Sequence, residues 1–532
     1  MLRRDLFRLA SSAAAATAWP RWSGSQTLRQ RDLFPLGVAS GSPAPDGFVL
    51  WTRLLDGPVP GSVAADTPRP ALPPALTVRW EIAEDDGFAR IVRRGTAQAL
   101  EALGHSVHVE VHGLRPDRWY YYRFMHGDAV TQTARTRTAP DAHAMPQRMR
   151  FAFVSCQRWE QGHYAGYRHM LDEDLDAVLF LGDYIYEYAM PKTPPNPALV
   201  RSHTLATART LQDFRDRYAL YRTDAQLQAA HRACPWLVSW DDHEVQNDYA
   251  GREGLGPQGP FLAMRGQGYQ AFYENLPLRA SCLTQGLEGL GSGVKIHDRH
   301  AWGRLLRWHM LDTRQYSQPQ PCRPAGGNPP ASVSPDRCAE MLDPERSMLG
   351  RAQERWLAEG LLQDAHAQTR WSVLAQQTMF SRRNYKKAPE ESYNSSTWDG
   401  YPACRQRVCE AISASAVRNA VVLGGDLHQN YVSRVLGDFS DPDSAVIASE
   451  FCGTSMTSHS KTSRARARQI ADNNPHILLA RPDKRGYAVA EVTPDRWTTT
   501  LRVLDDVARA DSGISTLARF AVQDRVPGPV SA

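Results

Sequence analysis

Four short apolar runs in this chain each end in residues of metal-ligating type. Phe151-Ala152-Phe153-Val154 runs into Ser155-Cys156-Gln157, and Val178-Leu179-Phe180-Leu181 into Gly182-Asp183-Tyr184-Ile185-Tyr186. Trp236-Leu237-Val238-Ser239-Trp240 runs into Asp241-Asp242-His243-Glu244, and Val421-Val422-Leu423 into Gly424-Gly425-Asp426-Leu427-His428. Taken singly, each has a structural explanation: a strand-end Asp caps the next helix, a Cys after an apolar run packs as a small hydrophobe, and a lone His is a satisfied polar group. Taken together they bring a thiol, at least three carboxylates, a phenol and two imidazoles to one edge. Hard carboxylate and phenolate oxygens with a thiolate suit a trivalent or borderline transition metal beside a hard divalent ion better than a closed structural zinc site. Two adjacent metals are the usual device for in-line attack at phosphorus, because they generate hydroxide and neutralise charge on both sides of the transition state.

These residues need elements to hold them. Residues 150–154, 176–181, 235–240 and 420–423 read as strands, and 210–233 and 350–365 as helices. Continuous apolar strands separated by helices predict a sheet covered on both faces, with ligands bound at the carboxyl ends of the strands. Upstream, residues 76–138 alternate apolar and polar in short runs, as in Leu76-Thr77-Val78-Arg79-Trp80-Glu81-Ile82 and Val107-His108-Val109-Glu110-Val111, which reads as a small all-β sandwich. Leu114, Pro116 and Tyr120 have the spacing of a fibronectin-type tyrosine corner, although a plain aromatic strand explains them equally well. Residues 140–146 read as the following linker, and the Pro/Gly-rich stretch 318–330 as a surface excursion. Cys322 and Cys338 flank that excursion and form a candidate disulfide; Cys404 with Cys409 is a second candidate pair, and Cys452 reads as packing under the site. No GxSxG elbow follows a strand, which disfavours a serine hydrolase.

Composition sets the outer limits. The chain has 532 residues, 42% of them apolar, with 62 Lys+Arg against 57 Asp+Glu and only eight Cys. That excludes a disordered protein and a disulfide-framed miniprotein, and the small positive excess, spread along the chain, gives no nucleic-acid-binding patch. No run reaches the ~18 apolar residues of a transmembrane span. At the N-terminus, Arg3-Arg4-Asp5-Leu6-Phe7 precedes a small apolar run ending in Ala16-Thr17-Ala18. This pattern resembles a twin-arginine signal, read by machinery that exports folded proteins; an ordinary secretory signal is the alternative. The resulting organisation is a signal over 1–26, a β-sandwich domain over 30–139, a catalytic domain over 147–510 and a C-terminal tail over 511–532. The mature protein is expected in the periplasm or outside the cell.

The sequence also resembles a known family. Ser155-Cys156-Gln157, Gly182-Asp183-Tyr184-Ile185-Tyr186-Glu187-Tyr188, Trp240-Asp241-Asp242-His243-Glu244-Val245, Asn247-Asp248-Tyr249-Ala250-Gly251 and Gly425-Asp426-Leu427-His428-Gln429-Asn430 are similar to motifs of the PhoD-like alkaline phosphatases. So are the framing segments Phe34-Pro35-Leu36-Gly37-Val38-Ala39-Ser40-Gly41-Ser42-Pro43, Leu311-Asp312-Thr313-Arg314-Gln315-Tyr316, Leu374-Ala375-Gln376-Gln377-Thr378 and Arg485-Gly486-Tyr487. The resemblance implies an α/β (α+β) metallophosphoesterase sandwich of mixed sheets flanked by helices, behind the small β domain. It further implies a secreted metal-dependent alkaline phosphatase holding Fe3+ and Ca2+, which hydrolyses small phosphate esters by in-line attack of metal-bound hydroxide on phosphorus. Carried over residue by residue, Asp183 bridges the metals, Cys156, Tyr186 and His428 bind the iron, and Asp242 and Asp426 bind the second ion, with Asn247 and Asp248 as candidates to complete its shell. Carboxylates at Asp242 and Asp426 favour calcium. His243 is a candidate general acid or phosphate holder, with orientation of Asp242 as its alternative role. Arg168 is a candidate phosphate contact with a surface position as its alternative, and Arg314 is expected in a structural ion pair near Asp312. Residues 254–290 and 318–342 are expected at the rim. Two rivals remain: a phosphodiesterase or phospholipase D of the same fold, acting on a phospholipid or other diester, and a non-catalytic binding protein.

Overall fold

A computed structural model describes residues 33–61, 71–193, 195–286 and 293–532; the expected signal over 1–26 lies outside the described residues. Its core is the space between two stacked sheets. The larger has ten strands, in the order Val526–Ser531, Ile514–Gln523, Arg496–Leu504, Gly486–Val492, Met149–Val154, Ala177–Leu181, Trp236–Ser239, Val38–Ala44, Gly47–Arg53, Ser106–Val111. The smaller has seven, in the order Asp298–Trp302, Leu306–Met310, Trp371–Ala375, Ala420–Gly424, Val446–Cys452, Asn430–Leu436, Ile477–Arg481. Phe151, Phe153, Leu179 and Leu181 project into the space between the sheets against Trp308, Val373, Leu423 and Phe451, all buried. Their neighbours Ala152, Val154, Val178 and Phe180 face the other way and are buried under helices. Both faces are therefore covered, which is why these strands read as unbroken apolar runs.

Register aligns the chemistry. The strands Met149–Val154, Ala177–Leu181 and Trp236–Ser239 run parallel, with Phe180 opposite Val154 and Leu181 opposite Ser239, so their carboxyl ends finish side by side. In the second sheet Ala375 stands opposite Leu423, and Gly424 opposite Cys452. A parallel bridge from Ser155 to Ser455 ties the two sheets together at this same edge. The strand positions 150–154, 176–181, 235–240 and 420–423 thus agree with the sequence reading to within about two residues.

Two expectations are corrected. The stretch 210–233 is two helices, Leu211–Arg222 and Ala225–Ala233, because the Asp224 side chain accepts from Gln226 N (3.0 Å) and Leu227 N (3.2 Å) and starts a new helix. The expected tail 511–532 is instead a hairpin in the ten-stranded sheet, with Phe520 and Val522 buried in the inter-sheet core. Its alternating, half-exposed pattern is that of an edge, so it carries no continuous apolar run. The small all-β N-terminal unit is present as expected. Its five-stranded sheet, centred on Ala75–Ala83 and Trp119–His126, packs through Val78, Ile82 and Tyr122 onto Phe48, Leu50 and Val109. Those last residues lie on strands of the large sheet, joined to the catalytic unit by the parallel pairing of Val38–Ala44 with Trp236–Ser239.

Of the remaining expectations, the tyrosine corner and one of the two candidate disulfides form. Arg115 N donates to Tyr120 Oη at 3.1 Å, forming the tyrosine corner, and Cys322 is bonded to Cys338. Cys404 and Cys409 are free thiols five residues apart on the helix Pro402–Ser415, where their side chains leave different faces and cannot bridge. Among the described residues no helix is long and apolar enough to cross a membrane.

Candidate metal centre

Three of the four strand ends turn sharply to present their side chains. Cys156, Asp183, Asp426 and His428 have φ of 57°, 59°, 60° and 56°, in the left-handed region that side chains normally avoid. Such conformations cost roughly 1 kcal/mol or more apiece and persist where the surroundings enforce them. Gly182 makes one turn sterically possible: at φ 105° a Cβ there would lie 2.4 Å from Asp241 Cβ. Side chain was given up at 182 so that two acidic strand ends could approach.

Donor atoms of Cys156, Asp183 and His428 lie within 4.8 Å of one another, although these residues are far apart in sequence. Tyr186 joins them, its hydroxyl donating to Asp183 Oδ2 at 2.7 Å and lying 3.2 Å from His428 Nε2. His428 Nδ1 donates to the His459 carbonyl at 2.9 Å, which turns Nε2 toward the cluster. A second group, Asp183, Asp242 and His243, meets the same 4.8 Å criterion and shares Asp183 with the first. Asp242 Oδ2 accepts from Asp248 N at 2.6 Å, whereas Asp242 Oδ1 is buried with no hydrogen-bond partner among the described residues. His243 Nδ1 faces Glu187 Oε2 at 2.7 Å, and its ring stacks 4.1 Å from that of Tyr186.

Electrostatics follow from this crowding. Burial, with repulsion from Asp242 and Glu244, pushes the Asp183 carboxyl well up despite His243 nearby. Burial raises Asp426 to about 6, with Asp242 repelling it and Arg314 opposing the rise. Asp242 is an exception: burial would raise it, but Arg314 and His243 hold it at about 2. Burial drives the Cys156 thiol and the Tyr186 phenol upward, and drives His428 down to about 3. Against burial, Glu187, Asp183 and Asp242 hold His243 well above the usual imidazole range. A buried set of thiol, phenol, carboxylates and neutral imidazole, with one carboxylate oxygen unpartnered, fits cations and is unfavourable without them.

The remaining expected residues differ in placement. Asn247 Oδ1 accepts from Tyr188 Oη at 3.0 Å and its amide donates to Asp248 at 2.7 Å. Arg168 does not approach the cluster: its Nη2 donates to the Ser512 carbonyl at 2.8 Å, because the helix Ala165–Met170 turns it toward the loop before the C-terminal hairpin. Arg314 makes the expected structural ion pair, and its partner is Asp241, with Asp242 at 3.8 Å and Asp426 at 3.9 Å. Glu187 and Arg485 also belong here without having been assigned roles from sequence. Glu187 holds His243, and Arg485 Nη1 donates to the carbonyls of His428 (2.7 Å) and Ser458 (2.6 Å). The available signal for Glu187 was its place one residue after Tyr186, within a strand-end motif.

Two stacked sheets with acidic, thiol and imidazole groups gathered at parallel strand ends define a metallophosphoesterase sandwich. The chain belongs to the PhoD-like phosphatase family, which it matches over residues 151–501, and it matches the N-terminal domain of the PhoD-like phosphatases over residues 17–140. It is 42% identical over 495 residues to alkaline phosphatase D of Bacillus subtilis (strain 168), covering 92% of this chain and 81% of that protein. A solved structure of PhoD superposes with a TM-score of 0.86 at 40% identity, covering 95% of this chain and 93% of that one. The chain is accordingly a phosphoric ester hydrolase, and the family is metal-dependent.

Proposed function

We propose that this phosphatase is an exported enzyme that uses Fe3+ and Ca2+ to hydrolyse phosphate esters by in-line displacement at phosphorus. The observation that carries the reading is the meeting of Cys156, Asp183, Tyr186 and His428 beside Asp242 and Asp426 at one sheet edge. Cys156, Tyr186 and His428 would hold the iron, Asp242 and Asp426 the calcium, with Asp183 shared between them. When bound, such metals supply a hydroxide nucleophile at moderate pH and neutralise charge on the equatorial phosphoryl oxygens.

The chain's own groups do the rest. Glu187 fixes the His243 ring through Nδ1 and leaves Nε2 without a protein partner among the described residues, so His243 can hold a phosphoryl oxygen or donate its proton to the leaving group. Arg314 keeps the Asp241, Asp242 and Asp426 carboxylates together. Asn247 Oδ1, which accepts one hydrogen bond from Tyr188, would still have a lone pair for the calcium shell. The Arg3-Arg4 segment supports export by the twin-arginine route, which suits a protein loaded with metal before it leaves the cytoplasm.

The test is phosphate or alcohol release from a model monoester and a model diester, with and without a calcium chelator. Chelator-sensitive turnover favouring the monoester is expected. A diester preference would move the assignment to a phosphodiesterase or phospholipase, and no turnover with iron and calcium restored would leave a binding protein.

A further inference from the structure

We propose that Arg158 grips the phosphoryl group of the substrate; this rests on phosphate-ester hydrolysis at the adjoining site. Arg158 lies two residues after Cys156, and its backbone is fixed on both sides. Its N–H donates to Ser458 Oγ at 3.1 Å, and its carbonyl accepts from Thr457 Oγ1 at 2.8 Å. Ser458 also donates to Tyr186 Oη at 2.8 Å, so Arg158 and a candidate iron ligand share one anchor.

The guanidinium stands 5.7 Å from the ring centre of Tyr186 and 5.1 Å from that of Tyr188, the two rings that pack on His243. Behind it, Nε donates to Glu160 Oε2 at 3.3 Å. Glu160 is fully buried and is itself held by His203 at 2.8 Å, which meets Arg217 Nη1 at 2.8 Å. In front, neither Nη group has an acceptor among the described residues, and the side chain is 19% exposed. The other arginines nearby are committed: Arg314 to carboxylates, Arg485 to the carbonyls of His428, Ser458 and Pro482, and Arg168 to Ser512. A guanidinium aimed from behind by a buried carboxylate, with two open N–H edges, matches the paired non-bridging oxygens of a phosphoryl group. Those oxygens are present in the ground state and in the transition state alike, so the contact acts mainly on binding.

The experiment measures binding of inorganic phosphate to the metal-loaded protein by calorimetry, alongside KM and kcat for a monoester, in wild type, Arg158→Ala, Arg158→Lys and Glu160→Gln. For Arg158→Ala the expected result is a phosphate Kd and a KM each raised about tenfold, with kcat within about twofold and metal content unchanged. Arg158→Lys should recover part of the loss, since it restores charge without the fork, and Glu160→Gln should weaken binding less than Arg158→Ala. Unchanged phosphate Kd and KM in Arg158→Ala would overturn the assignment while leaving the phosphatase reading intact. A wild-type protein that neither binds phosphate nor turns over ester would instead overturn the reading on which it rests.

Discussion

At the scale of single residues, the site stores unfavourable energy of two kinds. Cys156, Asp183, Asp426 and His428 are held in left-handed conformations, and the carboxylates beside them repel one another in a buried space. Arg314 is a cation that, with His243, opposes this repulsion from within the chain. Arg314→Gln should therefore destabilise the chelated protein by about 3 kcal/mol, the cost of leaving buried charge unpaired, and added calcium should restore part of the loss. Urea unfolding with and without the ion measures both numbers; equal stability of variant and wild type in chelator would contradict it. Glu187→Gln should lower kcat about 10- to 100-fold with metal content retained, because His243 loses the carboxylate that orients its ring. Steady-state kinetics with metal analysis checks this, and an unchanged kcat would remove Glu187 from the mechanism.

At the scale of elements, the strands nearest the chemistry were the most legible. Residues 150–154 or 420–423 are apolar on both faces because helices cover one and the second sheet covers the other, so composition alone marks them. Most of the candidate ligands could be found for the same reason, since each directly follows such a run. The partners of Arg168 and Arg314 were not legible because the partner of a long side chain depends on how distant strands stack, which local spacing does not encode. The Asp224 break was hidden by an amphipathic pattern that continues through it. The hairpin after residue 511 was missed because edge strands have short, alternating patterns. It matters nonetheless: deleting 511–532 removes Phe520 and Val522 from the core, each worth about 2–4 kcal/mol by analogy with large-to-small core substitutions. Loss of soluble protein or a fall in Tm well beyond 10 °C is expected, and a fully active truncated enzyme would contradict this packing role. Opening the Cys322–Cys338 bridge should cost about 3 kcal/mol for a loop of this separation, 16 residues, read as a lower midpoint under reducing conditions.

At the scale of the whole molecule, the N-terminal β unit joins the phosphatase unit through the strands Val38–Ala44, Gly47–Arg53 and Ser106–Val111 of the large sheet. His108, on the strand Ser106–Val111, is a point of attachment. Its Nε2 donates to the carbonyls of Tyr273 (2.9 Å) and Leu276 (3.0 Å), and its ring stacks 4.5 Å from Tyr273. Burial depresses its pKa to about 4. Its unfolded value is near 6.5, so the unfolded chain takes up this proton first; the contribution to stability is complete above about pH 6.5 and is lost as pH falls toward 4. His108→Gln should flatten the stability-versus-pH curve across that window by about 1.4 kcal/mol per pH unit, the slope of one proton; a curve as steep as wild type would exclude it. The central claim, however, concerns the edge where the two sheets meet. The most direct test is to purify wild type and Asp183→Ala, measure bound iron and calcium, and assay phosphate release from a monoester on the same samples. The account predicts both metals and chelator-sensitive turnover in wild type, with loss of metal and of turnover together in Asp183→Ala. Retention of both by the variant would contradict it.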